Sequence, residues 1–323
     1  MAIFNLHKEL NSFYEERVRL GQARRDRLAE YREACLQRLR EGLEKLARER
    51  NKTYQPFIRS IGQGSYPMHT LNQHPRDEYD IDIAVIFEKD DLPTTALEAR
   101  RRVADALLAT GGNFRKKPEA RTNAVTVWYG DGAHVDLAVY RRVPGFFSDT
   151  LEHAGPEWQH RDPGAVTTWF LRQVEERQPG FWPPVSEGQL RRVVRWVKAF
   201  CRSRASWGLP GGMIITALVV ELYRANRNRD DVALYETIHA VLERLRISLN
   251  VANPVDSSVS LTSKPVIQAQ MKALLEKLES AWPELAILEG KDCTRERALR
   301  AWRQFFKDGF WSEVAESDGT AGG

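Results

Sequence analysis

Along the first fifty residues, apolar side chains recur at helical spacing: Phe4, Leu6, Leu10, Phe13, Tyr14, Leu28, Tyr31, Leu36, Leu39, Leu43 and Leu46. Arginines and glutamates fill the positions between them. Residues 4–50 therefore read as one long amphipathic helix, or two end to end, with a solvated, ion-paired outer face. The period then changes. Between residues 54 and 150 the runs Ile81–Phe87, Ala124–Tyr129 and His134–Tyr140 predict strands, with a helical stretch near 94–109 and turns at Gly111-Gly112 and Gly130-Asp131-Gly132. From about residue 163 the helical period returns, in Ala165–Glu176, Glu187–Ser203, Gly211–Arg224, Val232–Leu249, Pro265–Ser280 and Pro283–Phe310. Pro and Gly fall mainly at the starts of these segments or between them. The pattern predicts an α+β lobe over 1–160, a helical-bundle lobe over 161–315 and a flexible tail over 316–323.

Composition narrows the class. A chain of 323 residues has room for two lobes, since single cores stop growing near about 250–300 residues. No apolar run is long enough to span a bilayer or to resemble a secretory signal, and a soluble, cytoplasmic protein with no membrane partner is expected. Cys35, Cys201 and Cys293 are scattered and suggest neither a disulfide framework nor a zinc cluster. A net charge of +4 is compatible with a polyanionic ligand without requiring one.

The chemistry sits in two strands. Asp80 and Asp82 open an otherwise apolar run, and residues two apart on a strand share a face, so both carboxylates point the same way. Ile81 and Ile83 take the opposite, buried face and fix the register. In His134-Val-Asp136-Leu-Ala-Val-Tyr140 a second apolar strand carries one acid, and the preceding Gly-Asp-Gly turn makes it a hairpin with the strand before. If the two acid-bearing strands are neighbours, Asp136 completes a triad. Three carboxylates on rigid strands suit two Mg²⁺ or Mn²⁺ ions and an in-line phosphoryl or nucleotidyl transfer. Gly62-Gln63-Gly64-Ser65 lies just upstream, where backbone N–H groups and a hydroxyl could cradle phosphate oxygens.

With Gln63-Gly-Ser-Tyr, Thr70, Glu78-Tyr-Asp-Ile-Asp82 and Asp136, the chain resembles the polymerase-β-like nucleotidyltransferases, and within them the CD-NTase family of bacterial cyclic-GMP-AMP-synthase-like enzymes. The resemblance implies a nucleotidyltransferase core behind a long N-terminal spine helix, followed by a nucleotide-facing helical lobe. It makes Asp80, Asp82 and Asp136 catalytic metal ligands, with Asp136 helping to activate the attacking ribose hydroxyl. Gln63, Gly64 and Ser65 would hold the donor triphosphate, which Lys198 would reach from the helical lobe as a compact charge. His69-Thr70, where relatives often have Gly-Thr, and Gly211-Gly212, where they commonly place a serine after Leu-Pro, depart from the family pattern. Asn253-Pro-Val-Asp256-Ser-Ser258 resembles a ligand-side loop in relatives and equally suits an Asx-type turn.

The implied activity joins NTPs, ATP or GTP among them, into a cyclic di- or trinucleotide messenger for a separate effector in anti-phage (CBASS) signalling. The glycine end Ala321-Gly-Gly323 would suit conjugation through Gly323 by a ubiquitin-ligase-like accessory enzyme, as in some relatives. The zinc insert of DNA-sensing animal relatives has no His/Cys counterpart here, so zinc-dependent DNA sensing is not expected. The same triad would also serve a linear oligonucleotide or RNA-tailing enzyme, or one that transfers a nucleotide to a protein or tRNA. A non-catalytic interaction protein is disfavoured, because unpaired buried carboxylates serve no stability purpose. Base choice falls among Asn72, Gln73, Arg121, Asn123, Tyr140 and Trp207 without ranking.

Overall fold

The computed structural model describes residues 3–73, 79–111, 114–177 and 188–320. It is an α+β chain whose residues gather into two compact units. One comprises residues 20–68 and 73–168 and holds the sheet; the other comprises residues 1–19, 69–72 and 169–323 and is helical.

In the sheet unit, α2 (Gln22–Glu49) is the long helix expected near the N-terminus, and it turns Leu28, Leu36, Leu39, Leu43 and Leu46 inward. The helix α1 (His7–Phe13) is separate from it. A π-helical turn at Tyr14–Val18 intervenes, so the two-helix alternative describes residues 4–50. Seven strands follow: β1 (Arg59–Gln63), β2 (Asp80–Glu88), β3 (Lys116–Ala120), β4 (Val125–Trp128), β5 (His134–Val143), β6 (Thr150–Ala154) and β7 (Trp158–His160). The sheet runs β1-β2-β5-β4-β3, and β6 continues from the far half of β5 to β7. The pairing of β2 with β5 is parallel; the others are antiparallel.

One face of the central pair presents Ile81, Ile83, Val85, Phe87, Val135, Leu137 and Val139, all buried. Helices α2 and α3 (Ala96–Ala109) pack on the sheet. Where they meet, a Cβ on Gly42 would lie 1.8 Å from the Ala106 carbonyl oxygen, so the crossing needs a residue without a side chain. The other face carries the acids at the head of each strand and, further along, the buried cluster Ala84, Ile86 and Tyr140. Gly111 and Gly132 take the left-handed conformation expected at turns, while Gly112 lies outside the described residues.

The helical unit contains most of α4 (Ala165–Glu176), then α5 (Gln189–Arg202), α6 (Gly212–Leu222), α7 (Asp230–Ile247), α8 (Pro265–Ala286), α9 (Arg295–Phe306) and α10 (Phe310–Thr320). Three boundaries differ from expectation: Pro283–Phe310 is not one helix but is divided among the end of α8, α9 and the start of α10. Helix α8 does not stop near Ser280 but runs through Pro283, because Met271, Leu274, Leu278 and Leu285 continue one buried stripe across it. Helix α10 extends through residues 316–320, which were expected to be tail. Its first residues, Phe310 and Trp311, are locked into an aromatic cluster with Phe13, Trp302 and Phe306, which anchors the helix start. Residues 321–323, and with them the Gly323 terminus, lie outside the described residues.

Candidate active site

The site is built by register. In the parallel β2–β5 pair Asp82 stands opposite Asp136 and Asp80 opposite His134, so all four side chains share one face of the sheet. On the other side of β2, Gln63 at the end of β1 is the partner of Asp82. On the other side of β5, Thr126 of β4 is the partner of Asp136. Period-2 geometry thus places every one of these groups from backbone pairing alone.

Asp82 is the central group. It is partly buried, and its carboxyl is pushed up to about 7, first by burial and then by the negative charges of Asp136 and Asp80. Gly64 lies directly against it. With φ of +69° the glycine is left-handed, and a Cβ there would come within 2.2 Å of Asp82 Oδ2. Both the conformation and the contact require glycine, and they put the backbone of the Gly64-Ser65 turn on the carboxylate. Ser65 follows in the same turn, half-buried.

The remaining acids have specific partners. Thr126 Oγ1 donates to Asp136 Oδ1 at 2.5 Å. His134 Nε2 lies 3.1 Å from Asp80 Oδ1 and 3.8 Å from Asp136 Oδ2, bridging the two carboxylates. The Asp80 side chain is largely exposed. Gln63 Nε2 donates to the Pro163 carbonyl at 2.9 Å, which ties this amide to the protein.

An all-oxygen set of three aspartates, with mutual repulsion on record at Asp82, has the donor chemistry of a Mg²⁺ or Mn²⁺ site and lacks that of a soft metal. Among the described residues, no three His, Cys, Asp or Glu side chains are gathered closely enough to hold a metal ion.

In the helical unit, Lys198 of α5 is buried. Its Nζ donates to Thr70 Oγ1 at 3.0 Å, and burial, reinforced by Arg202 and Arg195, drives its ammonium down to about 7. Gly212 at the start of α6 faces it, with a Cβ there falling 3.4 Å from Nζ. His69 adopts φ of +54°, a left-handed conformation that glycine takes without strain.

Residues 58–140 match the family described as cyclic GMP-AMP synthase DncV-like, nucleotidyltransferase domain. The resemblance to the CD-NTase family holds. That segment contains Gln63, Gly64, Ser65, Asp80, Asp82 and Asp136. Solved structures extend the likeness along the chain. Vibrio cholerae DncV in its GTP-bound form superposes with a TM-score of 0.69 at 16% identity, over 94% of this chain and 95% of that one. Escherichia coli DncV bound to 3'-deoxy GTP gives 0.68 at 18%, over 92% and 96%. CdnC of E. coli MS115-1, in a complex with HORMA-deltaN, gives 0.67 at 18%, over 94% and 98%. At such identities the likeness is one of fold, here the CD-NTase fold.

Several candidates for base recognition have other positions. Tyr140 is 1% exposed in the sheet core and cannot stack a base, and Asn72 is buried, donating to the Arg195 carbonyl at 2.8 Å. Trp207 packs edge-on to Phe200 under the Arg204 guanidinium. In the 253–258 loop, Asn253 Oδ1 accepts from Val255 N and Asp256 Oδ1 from Ser258 N, the Asx-type turns of a small hairpin. Thr126 and His134 were not singled out from the sequence. The signal for His134 was its place two residues before Asp136 on the same strand face; for Thr126 it was a lone hydroxyl inside Val-Thr-Val.

Proposed function

We propose that this chain is a nucleotidyltransferase that joins NTPs into a cyclic di- or trinucleotide messenger, with Asp80, Asp82 and Asp136 as its catalytic acids. The observation that carries the reading is the register of Asp82 with Asp136 on parallel strands, with the left-handed Gly64 pressed onto the Asp82 carboxylate. The three acids would hold Mg²⁺ or Mn²⁺, which when bound supply positive charge to the triphosphate and to the attacking oxygen. The Gly64-Ser65 turn offers backbone N–H groups and a hydroxyl to the donor phosphates. Asp136 accepts the proton of the ribose hydroxyl as its oxygen attacks the α-phosphorus and pyrophosphate leaves. Lys198 contributes positive charge to phosphate binding from α5. Gln63, bonded to Pro163, acts by holding the end of β1 beside Asp82 rather than through a phosphate contact.

The biological setting follows the same likeness. A messenger implies a separate effector, and a cytoplasmic anti-phage role fits a chain in which no described helix is long and apolar enough to cross a membrane. Conjugation through Gly323 and assembly with a regulatory protein, as CdnC assembles with HORMA-deltaN, belong to this proposal too.

Incubation with labelled NTPs and Mg²⁺ or Mn²⁺, followed by phosphatase, tests it. A small product that keeps its label is expected. Label released by phosphatase would instead identify a linear oligonucleotide, and label on macromolecule would identify transfer to protein or tRNA.

A further inference from the structure

Thr126 sits in the middle of β4 between Val125 and Val127, and all three residues are buried to 1% exposure or less. A valine would fill this position with nearly the same shape, and a buried hydroxyl without a partner is costly. The partner is Asp136. The two residues are directly opposite in the β4–β5 register, and Thr126 Oγ1 donates to Asp136 Oδ1. The second oxygen, Oδ2, is the one on the side of His134, whose Nε2 stands 3.8 Å from it and 3.1 Å from Asp80 Oδ1. The two oxygens of Asp136 are therefore not equivalent. One is held by the strand behind it; the other faces the remaining acids.

We infer that Thr126 is a positioning residue that locks the rotamer of Asp136 and offers Oδ2 to the divalent cation and the reacting hydroxyl. The inference rests on the nucleotidyltransferase reading for its catalytic consequence, and on geometry alone for the consequence to metal binding. Partners of this kind, one step removed from a metal ligand, commonly change metal affinity or activity by about 10–100-fold when lost. Threonine is well suited to the task, because its β-branch restricts χ1 and the neighbouring strand leaves its hydroxyl one direction to point.

The test compares Thr126→Val, which keeps the shape, with Thr126→Ser, which keeps the hydroxyl. Far-UV circular dichroism verifies that both fold. Mn²⁺ affinity without nucleotide is measured by electron paramagnetic resonance, and kcat and KM for NTP are measured separately. In T126V, Mn²⁺ affinity and kcat should each fall by about 10–100-fold with KM little changed, and T126S should lie within about threefold of the parent in both. Parental Mn²⁺ affinity in T126V would overturn the inference. Equal impairment of T126V and T126S would overturn it too, since packing and not the hydroxyl would then be responsible. D82N serves as the reference arm: full turnover in D82N would remove Asp82 from the metal ligands, and a parent chain without NTP turnover would remove the nucleotidyltransferase reading, while the Mn²⁺ titrations would still decide the role of Thr126.

Discussion

Replacing Asp82 by asparagine should remove turnover and, in the metal-free protein, raise stability. The side chain keeps its volume, so the packing beneath the Gly64 turn is preserved and only the charge is lost. The rise of the Asp82 carboxyl from 3.8 to about 7, at about 1.4 kcal/mol per pH unit, sets a ceiling of roughly 4 kcal/mol on the cost of ionising it in the fold. Water on the open side of the partly buried group screens part of this, and about 2 kcal/mol is a working figure. The sign follows from proton binding. Between the ordinary carboxyl range and pH 7 the folded state holds a proton that the unfolded chain has lost, so stability falls as pH rises through that window and levels off above it.

The assay is urea denaturation in EDTA at pH 5 and pH 8. At pH 5 the unfolded chain has already lost the proton that the fold keeps, so roughly a third of the difference should be present. At pH 8 the variant should be more stable by about 2 kcal/mol. Adding Mg²⁺ or Mn²⁺ should stabilise the parent chain and leave the variant nearly unmoved, because a ligand that binds only the folded state shifts its stability by mass action. A stability difference that is absent, or the same at both pH values, would refute the view of Asp82 as a buried, repelled charge awaiting a cation.

Gly64→Ala should lower kcat by at least about a hundredfold, because the new methyl strikes Asp82 Oδ2 and a left-handed residue is strained besides; steady-state kinetics reads the loss, and parental activity would contradict the contact. Gly42→Ala should destabilise the sheet unit by about 2 kcal/mol or more, measured as a lower urea midpoint, since its methyl meets backbone of α3 and not a movable side chain. Lys198→Met should raise KM for NTP by about tenfold while leaving the fold intact at pH 8, because the ammonium it removes is one that burial already disfavours.

Much of the sheet was legible because its central strands are apolar and alternate with acids in a period of two. Once Asp80, Asp82 and Asp136 were assigned to strands, their common face followed from geometry. The flanking strands were not legible for equally physical reasons. Lys116–Ala120 forms the edge strand β3 although it contains Pro118 and no apolar alternation, which an edge position tolerates because one side needs no backbone donor. Tyr140 illustrates the opposite error, an aromatic considered for stacking that the strand period turns into the Ala84–Ile86 cluster. The passage of α8 through Pro283 shows tertiary packing overriding a local breaker signal. Gly42 was silent too, since a glycine inside a helix does not reveal which backbone it must admit.

Two titrating groups, one in each unit, carry opposite departures from their ordinary values. Asp82 is held too high because its charge is buried among other negative charges, and Lys198 too low because its charge is buried beside Arg202 and Arg195. A fold selected for stability alone would replace either with an apolar residue of similar size. Each lacks a counter-charge of a particular sign: the aspartate a cation, the lysine an anion. Under the proposed function, a divalent cation would return Asp82 toward its ionised state and a phosphate group would return Lys198 toward its own. Metal and nucleotide should therefore each stabilise the chain, with protons released at Asp82 and taken up at Lys198. Calorimetric titrations of metal alone and of nucleotide alone, in buffers of different ionisation enthalpy, measure the release and the uptake separately, because at pH 7 the two would cancel in a combined titration. A binding heat independent of the buffer, with metal binding that leaves the pH dependence of stability unchanged, would show that these two charges do not respond to the ligand.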